Sequence, residues 1–178
     1  VTHPSPLAAA IVDALVEREA SLGVAESLTG GAVLAELVSV PGASRVLRGG
    51  VVAYATALKV SLLGVPESLL REHGAVHPDV AIAMARGVRT ATSVDGVAAQ
   101  VGIATTGVAG PDPLDGAPVG RVFVAVADAR SVRVRQLDVP ADRAGVRRAA
   151  VDAVLELLAE HLADPARDAG SPAVGARE

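Results

Sequence analysis

Ser27 follows a short apolar run, Val24-Ala25, and precedes Gly30-Gly31, the local order of a strand, a tight turn and a helix start. A serine at such a turn is presented outward, and backbone N–H groups beside it, at Thr29, Gly30 and Gly31, can face an oxyanion or a phosphate. A hydroxyl attacks only if a base takes its proton. None of the chain's 4 histidines suits that task. His3 lies in the N-terminal arm, His73 precedes a helix-stopping glycine, His77 sits at a helix N-cap, and His161 ends the last apolar periodic segment, all positions of surface or capping residues. Of the 16 basic residues, Lys59 alone is lysine. Arginine supplies surface charge equally well, but it does not lose a proton, so a surviving lysine fits a base whose pKa burial has lowered. The bland alternatives are an N-cap serine and a solvated lysine.

Two further groups concern binding. Thr106-Gly107-Val108-Ala109-Gly110-Pro111 is a second Gly-rich loop at a strand end, where Thr106, Gly107 and Gly110 either line a ligand site or form a purely structural turn. Arg143 and Arg147 stand one turn apart at the start of the last helix, where cations oppose the macrodipole. They either bind an anion or pair with acids such as Asp142 and Asp138.

The elements that carry these residues follow from periodicity. Apolar positions Leu7, Ile11, Leu15 and Leu22 predict a first helix over 7–22, closed by Gly23. A strand at Val24-Ala25 and a helix from Ala32 to Val38 follow. A strand at 51–54 then leads into the passage bearing Thr56 and Lys59. Pro66 and Pro78 open two helices. Val101 to Thr105 reads as a central strand, and 122–127 with 132–139 as an antiparallel hairpin whose second strand turns Arg133 and Arg135 outward. Asp142 to Leu162 forms a final helix with Val146, Ala150, Val154, Leu157 and Leu158 inward. Helices alternating with strands predict an α/β fold, a three-layer α/β/α domain with a mixed, mostly parallel sheet and ligands at strand carboxyl ends.

Composition sets bounds. At 178 residues, 51% hydrophobic but only 1% aromatic, the chain suffices for one Val/Leu/Ala-rich core, expected over 1–163 with 164–178 as a polar, disordered tail. Absence of cysteine excludes disulfides, thiolate metal sites and a cysteine nucleophile. No segment reads as a membrane span or a signal peptide, so a cytoplasmic location is expected. A net charge of -4 with scattered arginines argues against nucleic acid. Neither a cofactor nor a metal is called for, and the absence of Gly-Lys-Ser/Thr argues against phosphoryl transfer. So apolar a chain is expected to form a homodimer.

The ordered segments Ala25-Glu26-Ser27-Leu28-Thr29-Gly30-Gly31, Val40-Pro41-Gly42-Ala43-Ser44, Arg48-Gly49-Gly50-Val51-Val52-Ala53-Tyr54, Lys59, Leu63-Gly64-Val65-Pro66, His73-Gly74-Ala75-Val76, Thr106 to Pro111, Pro118-Val119-Gly120 and Asp142-Arg143 resemble the C-terminal domain of the CinA competence and damage-inducible family, which includes stand-alone nicotinamide mononucleotide deamidases. The resemblance covers Leu7 to Leu162. It implies hydrolysis of a carboxamide by a serine-lysine dyad, matched by Ser27 and Lys59, with Tyr54 and Glu26 positioning the dyad or the substrate. Larger members carry an additional N-terminal nucleotide-processing domain, and motifs beginning within the first 31 residues lead us to expect the deamidase half alone. One departure stands beside the dyad. Where the family pattern reads Tyr-Ser-Asn-x-x-Lys, this chain has Tyr54-Ala55-Thr56-Ala57-Leu58-Lys59, losing an amide that would face substrate or lysine. An altered substrate, or a binding module without turnover, stays open.

Overall fold

The computed structural model describes residues 4–164; His3 and the predicted tail from 165 onward lie outside them. The chain runs α1 (Pro6–Glu17), β1 (Leu22–Glu26), α2 (Ala32–Val38), β2 (Leu47–Val52), α3 (Thr56–Leu63), α4 (Glu67–His73), α5 (Pro78–Ala91), β3 (Val101–Gly107), β4 (Arg121–Ala127), β5 (Val132–Asp138) and α6 (Arg143–Leu162). The strands form one sheet in the order β2-β1-β3-β4-β5. β1 is parallel to both β2 and β3, while β4 is antiparallel to β3 and β5. This is the expected mixed sheet between two helical layers.

Alternation along the strands separates the layers. Leu22 and Val24 of β1, Val101 and Ile103 of β3, and Val122, Val124 and Val126 of β4 join α1, α2 and α6 in one core. Ala25, Ala104, Phe123, Ala125 and Ala127 point the other way, onto α3 and α5. Apart from Phe123, the sheet residues on that second face are small for a steric reason. A Cβ on Gly102 would lie 2.0 Å from the Ala85 carbonyl oxygen, and one on Gly23 2.5 Å from Thr92 Oγ1. The backbone of α5 therefore rests almost directly on β1 and β3.

Several boundaries differ from the periodic expectation. α1 ends at Glu17 because Glu19 takes a left-handed φ of 51°, and Leu22 belongs to β1, where it pairs with Val101. β2 begins at Leu47 and contains Gly49-Gly50. Gly50 is required there, since a Cβ would meet the Val24 carbonyl oxygen and Leu34 Cδ1, each at 2.6 Å. Arg133 and Arg135 do not turn outward. They face α6, Arg135 meeting Glu160 at 2.7 Å and Glu156 at 3.6 Å, and Arg133 pairing with Asp164. His161 is no surface cap: it is wholly buried, with Nε2 3.3 Å from Asp128. His77 does cap α5, its Nδ1 accepting from Asp79 N–H at 3.3 Å. Among the described residues no helix is long and apolar enough to cross a membrane.

Candidate active site

Strand parity places the first two site residues. Glu26, in phase with Leu22 and Val24, points to the α2 side, whereas Ser27 one residue later points to the α3 side. α3 buries two of its residues, Lys59 and Leu63. Lys59 is 1% exposed, and its Nζ donates to Ser27 Oγ at 3.2 Å and to the Ala53 carbonyl at 2.8 Å. Ser27 is itself 9% exposed. Burial disfavours the ammonium and lowers the Lys59 pKa from 10.5 to about 8, against a smaller upward pull from the Asp115 carboxylate. A neutral amine in this position keeps an N–H for Ala53 and turns its lone pair to the serine hydroxyl.

The Glu26 carboxylate, fully buried, accepts from the N–H groups of Gly31 at 2.8 Å, Val33 at 3.2 Å and Leu34 at 3.0 Å. The protein's own acid thus occupies the positive end of α2. That changes the anion-binding expectation for the turn. The Gly31 amide is committed to Glu26, and the Gly30 amide donates to the Ser27 carbonyl at 3.2 Å. The amides of Leu28 and Thr29 have no acceptor among the described residues. Gly30 and Gly31 instead supply conformation, with φ of 61° and 96°.

The other expected residues divide between structure and rim. Thr29 is buried and its hydroxyl meets Thr105 Oγ1 at 2.8 Å. The Thr106 hydroxyl donates to the Ala75 carbonyl at 2.7 Å, fastening β3 to the segment after α4. Gly107 allows β4 to pass, since a Cβ would lie 2.7 Å from the Arg121 carbonyl oxygen. Arg147 reaches under the serine turn and donates to the carbonyls of Leu28 at 3.0 Å and Thr29 at 2.8 Å. Arg143 is exposed and bridges the Gly110 carbonyl at 2.6 Å and the Tyr54 hydroxyl at 3.0 Å. Neither arginine pairs with Asp142 or Asp138; Asp142 caps α6 through Gly145 N–H at 2.8 Å, and Asp138 holds Arg121 at 2.5 Å. Tyr54 is 60% exposed, and its hydroxyl accepts from Arg143 at the rim. Thr56 is exposed at the start of α3.

The chain matches the CinA C-terminal domain over residues 4–162. It belongs to the CinA C-terminal domain family. A CinA-like protein of Frankia casuarinae is 45% identical over 153 residues, covering 86% of this chain and 34% of that protein. A CinA-like protein of Gloeobacter violaceus is 46% identical over 156 residues, covering 85% and 35%. The chain therefore spans about a third of the length of these curated relatives. The crystal structure of the competence/damage inducible protein CihA from Agrobacterium tumefaciens superposes with a TM-score of 0.82 at 29% identity, covering 92% of this chain and 99% of that one.

Within this CinA-type domain, sequence reasoning missed Asp115, Thr105 and the Ala53 carbonyl. Asp115 has a left-handed φ of 49° and accepts from Ala75 N–H at 3.0 Å. It fits because residue 74 is glycine, where a Cβ would lie 2.5 Å from Asp115 Cβ. Its only trace in the sequence is the Asp115-Gly116 turn dipeptide.

Proposed function

We propose that this domain hydrolyses the carboxamide of nicotinamide mononucleotide, releasing ammonia and leaving the nucleotide acid. The observation that carries this reading is the buried Lys59 amine 3.2 Å from Ser27 Oγ, at the carboxyl end of a sheet strand in a CinA-type fold. Neutral Lys59 takes the Ser27 proton as Oγ attacks the carboxamide carbon. The tetrahedral oxyanion is received by the Leu28 and Thr29 amides, held in place by Arg147 from below. Lysine then protonates the departing ammonia, and water, deprotonated by the same amine, releases the acid from the acyl-serine. Tyr54, Thr56, Arg143 and the loop ending at Gly110 lie at the rim, where the nucleotide moiety would bind.

Ammonia release from nicotinamide mononucleotide is expected from the purified protein, and is expected to vanish in Ser27→Ala and in Lys59→Arg. Folded wild-type protein without turnover on this or related carboxamides would sink the reading and favour a nucleotide-binding module. An active Lys59→Arg variant would remove the dyad while leaving the family intact. The assembly we propose is a homodimer. Its support is the exposed apolar strip of Val52, Leu58 and Leu62 along β2 and α3, and a monomer in sedimentation would refute it.

A further inference from the structure

The chemistry described so far uses one end of the sheet. At the opposite end, where β1 and β3 begin, lies a cavity of about 710 Å³ whose lining includes Arg18, Arg89, Arg130, Val97, Val101 and Leu162. That size falls among sites that enclose small molecules. Asp128 and Asp164 also line it, but both are engaged. One Asp128 oxygen accepts from the N–H groups of Arg130 and Ser131, each at 2.7 Å, and the other lies 3.3 Å from His161. Asp164 pairs with Arg133.

Arg18 and Arg89 on the near wall have no such balance. Arg18 donates to the carbonyls of Ala14 at 3.3 Å and Leu162 at 3.0 Å, and Arg89 to that of Ala99 at 3.0 Å. Among the described residues neither has a carboxylate partner. Gly102 contributes to the arrangement: a Cβ there would lie 2.7 Å from Arg89 Cγ, so only glycine lets the arginine stem lie flat on β3. Two guanidiniums with spare N–H groups match a dianion, and their planar forks suit phosphoryl oxygens.

The geometry points to a second binding site, for a phosphate monoester of a small apolar alcohol, its phosphoryl group held by Arg18 and Arg89 and its organic body against Val97, Val101 and Leu162. The proposal does not depend on the Ser27–Lys59 chemistry. Phenyl phosphate, titrated calorimetrically in chloride buffer, is the probe. Wild type and Ser27→Ala should bind it alike. Binding should weaken tenfold or more in the Arg18→Gln/Arg89→Gln double variant. Val97 is 55% exposed and lines the same cavity, so Val97→Asp adds a carboxylate to its wall at a position the core does not need, and it should weaken binding as much. Benzoate, with a single charge, should bind less tightly than phenyl phosphate. Absence of binding to wild type, or full binding to either the Arg18→Gln/Arg89→Gln or the Val97→Asp variant, would overturn the proposal.

Discussion

Lys59 should make the stability of this fold depend on alkaline pH. Burial lowers its pKa from 10.5 to about 8, so between those values the unfolded chain holds a proton that the folded chain has lost. Stability then rises with pH across that window. The penalty for burying the ammonium is present in full below pH 8 and gone above 10.5. At 1.36 kcal/mol per unit, the window corresponds to about 3 kcal/mol. The perturbation is Lys59→Met, which fills a similar volume and carries no proton. Urea unfolding of both proteins at steps from pH 7 to 11 gives a difference curve in which other titrating groups cancel. Wild type should gain on the variant by about 3 kcal/mol over the window. Turnover supplies a second readout of the same proton. With a pKa of about 8, roughly a tenth of Lys59 is neutral at pH 7 and roughly nine-tenths at pH 9, so kcat/KM should climb about tenfold between them. A flat difference curve would refute the burial argument. A kinetic limb far from the stability transition would show that another group serves as base.

Two other perturbations address the surroundings of the lysine. Asp115→Asn keeps an acceptor for Ala75 N–H but removes the charge that favours the ammonium, so the rising limb of kcat/KM should move to lower pH; an unmoved limb would remove Asp115 from the electrostatics of the site. Gly87→Ala places a Cβ 1.8 Å from the Leu63 carbonyl oxygen, forcing α5 away from the helix that carries Lys59. A loss of about 1–3 kcal/mol is expected, seen as a fall of several degrees in Tm together with reduced turnover, and an unchanged Tm would refute the close contact.

The elements that hold the site were legible where a strong periodic or capping signal marked them. Pro78 opened α5 at its first position as expected, Pro66 stood one residue ahead of α4 at its N-cap, and the apolar face of α6 held throughout. The pairing of Ser27 with Lys59 was legible only through composition and family resemblance, because the two residues meet across two elements and nothing in their spacing encodes that contact. The rest failed for physical reasons. Gly50, ahead of the strand expected at 51–54, lies inside β2 because the Val24 carbonyl oxygen and Leu34 leave no room for a Cβ, and Gly49 beside it takes a φ of 141° that favours glycine. Glu26 and Arg147 read as ligand-binding groups, yet their charge is spent on backbone amides and carbonyls of the serine turn. Which partner a charged side chain meets is decided by tertiary packing, and Asp115, held by the segment 74–75, is a case with almost no local signature.

The alternation in β1 sets a limit on how the domain can vary. Glu26 and Ser27 are adjacent in the chain but serve opposite layers, one fixing the helix start and the other meeting the lysine. A single-residue insertion or deletion in β1 would exchange their directions, turning an acid toward Lys59 and the hydroxyl toward α2. Such a chain would still have a hydrophobic pattern able to form a sheet, but the proposed nucleophile would no longer face Lys59. The length of this strand is thus constrained in steps of two, and lineages of the domain should accept changes of side chain in β1 far more readily than changes of length.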